Sequence, residues 1–285
     1  MKKILLALFL SVNLFSYAYA PGDLRFHCAN DTLKINELLL AGKESGIQDA
    51  NGLISFYADK LLGTPYVAHT LEGETEKLTI NIDQLDCTTF VETLLALTKT
   101  TLNERTTWRE YAMSLEQIRY RKGTIDGYAS RLHYMSDWVI DNDARGNVKE
   151  VTAEFPRCDY ETKSINFMSK HKDSYQSLKN DSAMVQEIKN VERGYRQHRY
   201  PVIKKGNLRH KDVKESFMDG DVIVLVTKME GLDVSHLGII KMIDGEPHLL
   251  HASSPKTGVI LSKDDLFNML RKNRSNVGVR VIRMR

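Results

Sequence analysis

One cysteine and two histidines carry the chemistry this sequence can offer. Cys87 stands in Asp86-Cys87-Thr88-Thr89-Phe90-Val91. Asp86 suits a helix N-cap, which places Cys87 in the first turn. A helix N-terminus presents free N–H groups and partial positive charge. Both favour thiolate over thiol, and the same N–H groups can hold an oxyanion. The plainer role for such a cysteine is a small buried hydrophobe or half of a disulfide. His236 opens Ser235-His236-Leu237-Gly238, and His251 lies in Leu250-His251-Ala252-Ser253. Between them Asp244-Gly245 is a two-residue hairpin signal. With those two residues as the loop, Gly238 pairs with His251 and His236 with Ser253. The two imidazoles then leave one face as diagonal neighbours. That arrangement suits a base, His236, oriented by a third group, His251. Cys plus two His can also bind zinc, although no H-E-x-x-H or paired-Cys motif accompanies them.

These residues need a helix and a hairpin to position them. Asp49 to Leu62 has helical spacing and stops at Gly63-Thr64-Pro65. Leu85 to Thr98 reads as a helix with Phe90, Val91, Leu94, Leu95 and Thr98 on one face. From Asn103 to about Glu215 the chain is polar, with helical stretches such as Trp108 to Tyr120. Strand-like runs follow at Val222–Thr227, Ser235–Ile243, His248–Ser253, Val259–Ser262 and Val277–Met284. Helices first and an antiparallel meander afterwards make an α+β fold. No linker or repeat divides the chain. Residues 21–285 are expected to form a single catalytic domain with a helical insertion near 100–215.

Four motifs in order, Leu62-Gly63-Thr64-Pro65-Tyr66, Asp86-Cys87-x-x-Phe90-Val91, His236-x-Gly238-Ile239 and Leu250-His251-Ala252-Ser253, resemble the NlpC-type cysteine peptidases. These are papain-like enzymes that cut bacterial peptidoglycan. Ile118-Arg119-Tyr120-Arg121, Ser130-Arg131-Leu132-His133-Tyr134 with Asp137-Trp138, and Gly231-Leu232-Asp233-Val234-Ser235-His236 resemble the N-acetylmuramoyl-L-alanine amidase-like branch of that superfamily. The resemblance covers roughly residues 50 to 285. It implies a papain-like α+β fold, with the nucleophile helix packed on the meander. It also implies Cys87 as nucleophile, His236 as base and His251 as third member. Tyr66, Asp86, Arg131, His133 and Ser235 are implied substrate-binding residues, Tyr66 near the oxyanion. The implied reaction is cleavage of the amide between N-acetylmuramic acid, the 1,6-anhydro form expected, and L-alanine. No cofactor and no metal is implied.

Two departures bear on specificity. Val67-Ala68-His69 replaces a Trp-Gly-Gly-like stretch, and Thr88 stands where serine usually follows the nucleophile. That serine region helps receive a free amino terminus, so its change suits a substrate whose alanine nitrogen is acylated. The rival readings are a γ-D-glutamyl endopeptidase, a zinc amidase and a non-catalytic wall-binding protein.

Composition sets the surroundings. The 285 residues carry 40 Lys+Arg and 37 Asp+Glu, a net charge of +3, two of which are Lys2 and Lys3. So small an excess excludes a strongly basic nucleic-acid binder. Met1-Lys2-Lys3, the apolar run Ile4 to Leu10 and the small residues Ser16, Ala18 and Ala20 have the layout of a secretory signal peptide. Cleavage after Ala18 or Ala20 leaves an exported protein, periplasmic or secreted. Its expected partners are peptidoglycan fragments, with no membrane insertion, and a monomer is expected. Three cysteines in an exported chain leave at least one thiol unpaired. If one pair forms, Cys28 with Cys158 is the pair expected, provided Cys87 has other work.

Overall fold

The computed structural model describes residues 24–285; the expected signal peptide lies outside them. A short parallel pair joins β1 (Leu24–Phe26) to β2 (Leu78–Ile80). Between them run α1 (Asp31–Glu44) and α2 (Ala50–Lys60), then α3 (Cys87–Leu102), α4 (Trp108–Arg119) and α5 (Met135–Ala144) follow. The insertion continues through β3 (Val148–Glu150), β4 (Asp159–Lys163), α6 (Phe167–Lys170), α7 (Gln176–Lys179), α8 (Ser182–Arg193), β5 (His198–Lys204) and α9 (Lys211–Lys214). The chain ends in β6 (Val222–Thr227), β7 (Val234–Ile243), β8 (Glu246–Ser253), β9 (Gly258–Asp265), α10 (Leu266–Lys272) and β10 (Asn276–Met284).

The main sheet has the order β4-β5-β10-β6-β7-β8-β9, with β3 also paired to β10. Every pairing in it is antiparallel. The insertion is therefore not purely helical, as its polar composition suggested. It supplies three strands and widens the sheet through β5, where Tyr200 and Val202 are buried behind an otherwise charged run.

Helix α3 is the central element. An apolar stripe alone would leave one face wet, yet Thr93, Thr98, Thr100 and Thr101 are buried along with Phe90, Val91, Leu94, Leu95 and Leu97. The threonines are accommodated by bonds such as Thr100 Oγ1 to the Ala96 carbonyl at 2.7 Å. On one side of the sheet Val222, Val224, Ile239 and Leu250 pack into the same cluster as α3. On the other, Ile223, Leu225, Ile240 and Leu249 pack with Leu266 and Leu270 of α10. Side chains alternate across a strand, so a fully buried run such as β6 needs cover on both faces and has it. Each such aliphatic side chain contributes roughly 1.5–3 kcal/mol on burial.

The three cysteines are unpaired, so the expected Cys28–Cys158 bridge is corrected. Cys28 sits beside α1, its thiol 3.6 Å from carboxylate oxygens of Asp31 and Asp83. Cys158 leads into β4 at the sheet's far edge, its thiol 3.3 Å from the Asp159 carbonyl. No helix among the described residues is long and apolar enough to cross a membrane.

Candidate active site

Asp86 ends an extended segment and caps α3. Its Oδ1 accepts from the Thr89 amide at 2.8 Å, and Thr89 Oγ1 accepts from the Asp86 amide at 2.8 Å. This reciprocal box fixes the entry of the chain and leaves Cys87 as the first helical residue. The amides of Leu237 and Thr88 and the Thr88 side chain face the Cys87 sulfur and favour its thiolate, against the larger effect of burial. The first of these brings it to β7, one residue from His236.

The strand register follows from the Asp244-Gly245 turn, where both residues have positive φ, 51° and 80°. Ile243 pairs with Glu246 and Ile239 with Leu250. Continuing that register sets Gly238 against His251. A Cβ on Gly238 would lie 2.9 Å from the His251 Cβ and 2.8 Å from the Leu250 carbonyl oxygen, so glycine is required there. On the other edge of β7, Leu225 pairs with His236 but Val226 with Val234, so Ser235 is the extra residue of a bulge. Bulges re-aim the neighbouring side chain. His236 Nε2 and His251 Nδ1 lie 2.5 Å apart, with the rings edge-on at 83°.

Electrostatics keep this cluster uncharged at rest. Burial pushes the Cys87 thiol up to about 12, and the Asp86 carboxylate adds to the effect. Burial pulls His236 down to about 3, assisted by His251, and pulls His251 down to about 4. The resting pair is thiol and neutral imidazole. A thiol, a base and an orienting ring are the group types that thiol-based acyl transfer needs.

Tyr66 reaches the same place by a backbone seam. Its amide donates to the Thr257 carbonyl at 3.0 Å, and the Leu85 amide donates to the Pro65 carbonyl at 3.0 Å. Burial raises the Tyr66 hydroxyl pKa, as do Cys87 and Asp86, which face it.

A cavity of about 380 Å³ opens beside the start of α3, flanked by Asp86 and Thr88. Its floor holds Glu92 and Arg119, and its walls include Glu72, Arg131, His133 and Tyr175. Arg131 Nη2 donates to Glu72 at 2.7 Å, and its guanidinium lies 4.9 Å from the Tyr128 ring centre. His133 stacks on the same ring at 4.4 Å and is held at about 3 by burial and by Arg131.

A family model described as AmiA-like, N-acetylmuramoyl-L-alanine amidase-like, matches residues 57–279. The chain belongs to that amidase-like family. It is similar to a structure named N-acetylmuramoyl-L-alanine amidase from Bacteroides uniformis ATCC 8492, at 38% identity and a TM-score of 0.79 over 83% of this chain and 99% of that one. A Bacteroides fragilis structure with a provisional xylanase name is 40% identical, with a TM-score of 0.76 over 81% and 100%. A Legionella pneumophila protein at 20% identity shares the fold, with a TM-score of 0.68 over 88% and 94%. No curated protein is significantly similar to the chain.

In this amidase-like chain Cys87, His236, His251, Tyr66 and Asp86 converge at one place, and Arg131 and His133 line the adjoining cavity. Ser235 stands apart. It is exposed in the bulge, and its hydroxyl turns to the Leu225 carbonyl and Asn276 Oδ1, each at 3.4 Å. Glu72, Tyr128 and Tyr175 were not foreseen. Nothing local marks Glu72 as a carboxylate that meets an arginine from a distant segment. Elsewhere among the described residues Cys28, Asp31 and Asp83 bring metal-ligand types within 4.8 Å of one another. Lys34 already answers Asp83 at 2.5 Å, and both carboxylates hold the Cys28 thiol.

Proposed function

We propose that this protein is an exported cysteine amidase, papain-like in the NlpC manner, that releases stem peptides from muramyl residues of peptidoglycan fragments. The observation that carries the reading is a thiol at a capped helix N-terminus that faces the Leu237 amide, one residue from a hydrogen-bonded pair of imidazoles. Family membership supports the bond type.

In this reading the Cys87 sulfur attacks the lactyl carbonyl carbon. His236 Nε2 is engaged with His251, so its Nδ1 takes the thiol proton as the C–S bond forms. Because the resting thiol is not ionised, proton transfer accompanies attack. The tetrahedral oxyanion is met by backbone N–H at the start of α3 and by the Tyr66 hydroxyl. Protonated His236 then gives its proton to the alanine nitrogen as the C–N bond breaks. Water, deprotonated by His236, hydrolyses the thioester and restores the thiol.

The test is mass spectrometry of muropeptides incubated with wild type and Cys87→Ala, under reducing conditions. Anhydromuramyl and reducing-end forms, with tri- and tetrapeptide stems, are compared. A free stem beginning with L-alanine, made only by wild type, is expected. An L-Ala–D-Glu dipeptide left on the sugar would move the reaction to the γ-D-glutamyl bond. Substrates left intact by wild type would overturn the catalytic reading in favour of wall binding.

A further inference from the structure

We infer that Asp233, backed by Lys163, is the positioning residue for His236. Its carboxylate pins the connection between β6 and β7 to the start of α5, and so fixes the bulge at Ser235 that sets the direction of the imidazole. The inference deepens the amidase reading and rests on it for the role of His236.

A bulge is a place where register is loose. On β7, Leu237 pairs with Val224 and His236 with Leu225, but Val234 already pairs with Val226, so one residue is in excess. Side chains alternate along a strand, so moving that excess by one position would send His236 to the other face of the sheet. Downstream the register is held at Gly238, whose close fit against His251 leaves no room for a Cβ. Upstream a second hold is needed. Ser235 itself supplies little, because its two hydroxyl contacts are both at 3.4 Å.

Asp233 supplies that hold. It is 2% exposed. Its Oδ2 accepts from the Ser136 amide at 2.6 Å, and its Oδ1 accepts from the Val234 amide at 2.9 Å. Ser136 is the second residue of α5, and the N-cap residue of that helix, Tyr134, makes no side-chain cap bond. The carboxylate thus caps α5 from 97 residues away in the sequence. An acid at a helix N-terminus, bonded by backbone amides, is a strong tie. The Asp233 carbonyl also accepts from the Thr227 amide at 3.3 Å, which closes the connection on itself.

The insertion clamps the same connection from its other side. Lys163 of β4 donates to the Thr227 and Leu232 carbonyls at 2.5 and 2.7 Å. The Asn166 and Phe167 amides donate to the Gly231 carbonyl at 2.9 and 3.0 Å. Burial pulls the Lys163 ammonium down, and the Asp233 charge opposes that pull. A buried charge is a costly way to fill space, and here it defines geometry.

The experiment compares Asp233→Ala, Asp233→Asn and Lys163→Met with Asp181→Ala, each in the full chain. Asp181 caps α8 with its Oδ1, which accepts from the Met184 amide at 2.8 Å, so its variant reports the loss of a helix cap as such. Two quantities are read. One is steady-state hydrolysis of muropeptides. The other is the low-field proton resonance of the 2.5 Å His236–His251 hydrogen bond, identified by its loss in His251→Ala, which needs no substrate. Asp233→Ala should lower kcat at least about tenfold with KM unchanged, and should shift or abolish the resonance. Asp233→Asn keeps an oxygen for the Ser136 amide and should recover most of kcat. Lys163→Met should lower kcat by a smaller factor and shift the resonance, and Asp181→Ala should match wild type in both. Wild-type values in Asp233→Ala, or an equal loss in Asp181→Ala, would overturn the inference. If Asp233→Ala does not fold, Lys163→Met decides, and wild-type values there would overturn it. If wild type leaves muropeptides intact, the amidase reading falls, and the resonance alone decides whether Asp233 positions His236. If wild type hydrolyses them and neither quantity responds to Asp233, the positioning role falls and the amidase reading stands.

Discussion

His236 Nε2 lies 2.5 Å from His251 Nδ1, and the two rings meet edge to face. One of the two nitrogens must carry the hydrogen. If His236 Nε2 donates, its Nδ1 is left with a lone pair and can act as base, and His251 acts purely as an acceptor. The bond therefore selects the tautomer as well as the orientation of His236.

From that relationship follows a graded outcome at position 251. Asparagine places an amide oxygen close to where Nδ1 stands, whereas alanine leaves the Nε2–H unpaired. On muropeptide hydrolysis, His251→Ala should lower kcat by about 100-fold with little change in KM, and His251→Asn should recover most of the loss. Wild-type kcat in the alanine variant would remove His251 from the reaction.

Burial sets the pH behaviour. His133, His236 and His251 sit at about 3, about 3 and about 4 in the fold, against 6.5 as their ordinary value. Between those limits the unfolded chain binds more protons than the native one. The stability contribution is thus complete above pH 6.5 and is lost as pH falls through about 4 and then 3. Calorimetric Tm should decline from pH 7 to pH 4, and less steeply in His133→Gln, which keeps an N–H donor but cannot titrate. The thiol behaves in the opposite sense. With Cys87 pushed up to about 12, its alkylation rate by iodoacetamide, followed on the Cys87 peptide, should still be rising at pH 10. A plateau below pH 8 would instead reveal a thiolate–imidazolium pair at rest.

The placement of Cys87, His236 and His251 was legible because each is fixed by a local rule. Asp86 announces a cap, Asp244-Gly245 announces a turn, and counting back from that turn sets the register at His251. Strands β6 to β10 were legible for the same reason, as apolar runs bounded by turn residues. The insertion was not. Strand β5 carries Arg199 and Lys204 among its apolar residues and gains its place only by pairing with β4 and β10. Arg199 lies 3.8 Å over the Tyr160 ring, and Lys204 pairs with Glu161, so charges that look like a solvated face are partly absorbed by neighbours. The cavity wall was equally hidden, because Glu72, Arg131 and Tyr175 meet only after three separate segments have packed. The Cys28–Cys158 pairing failed because the two thiols lie against different elements, Cys28 beside α1 and Cys158 at the start of β4, which no count of cysteines reveals.

A buried ion pair ties α3 to its neighbours. Glu92 of α3 accepts from Arg119 Nε at 2.6 Å, and Arg119 Nη1 donates to the Thr79 carbonyl of β2 at 2.8 Å. Both residues are 2% exposed. The two ends of the pair respond differently to the loss of a partner. Burial raises the Glu92 pKa, so a lone Glu92 can take up a proton and become neutral. A lone arginine cannot shed its charge. Glu92→Leu should therefore cost about 3–5 kcal/mol, Arg119→Leu distinctly less, and the double variant less than their sum. Urea unfolding of the four proteins checks the order. Equal costs for the two single variants would mean that lost packing, rather than the stranded guanidinium, sets the penalty.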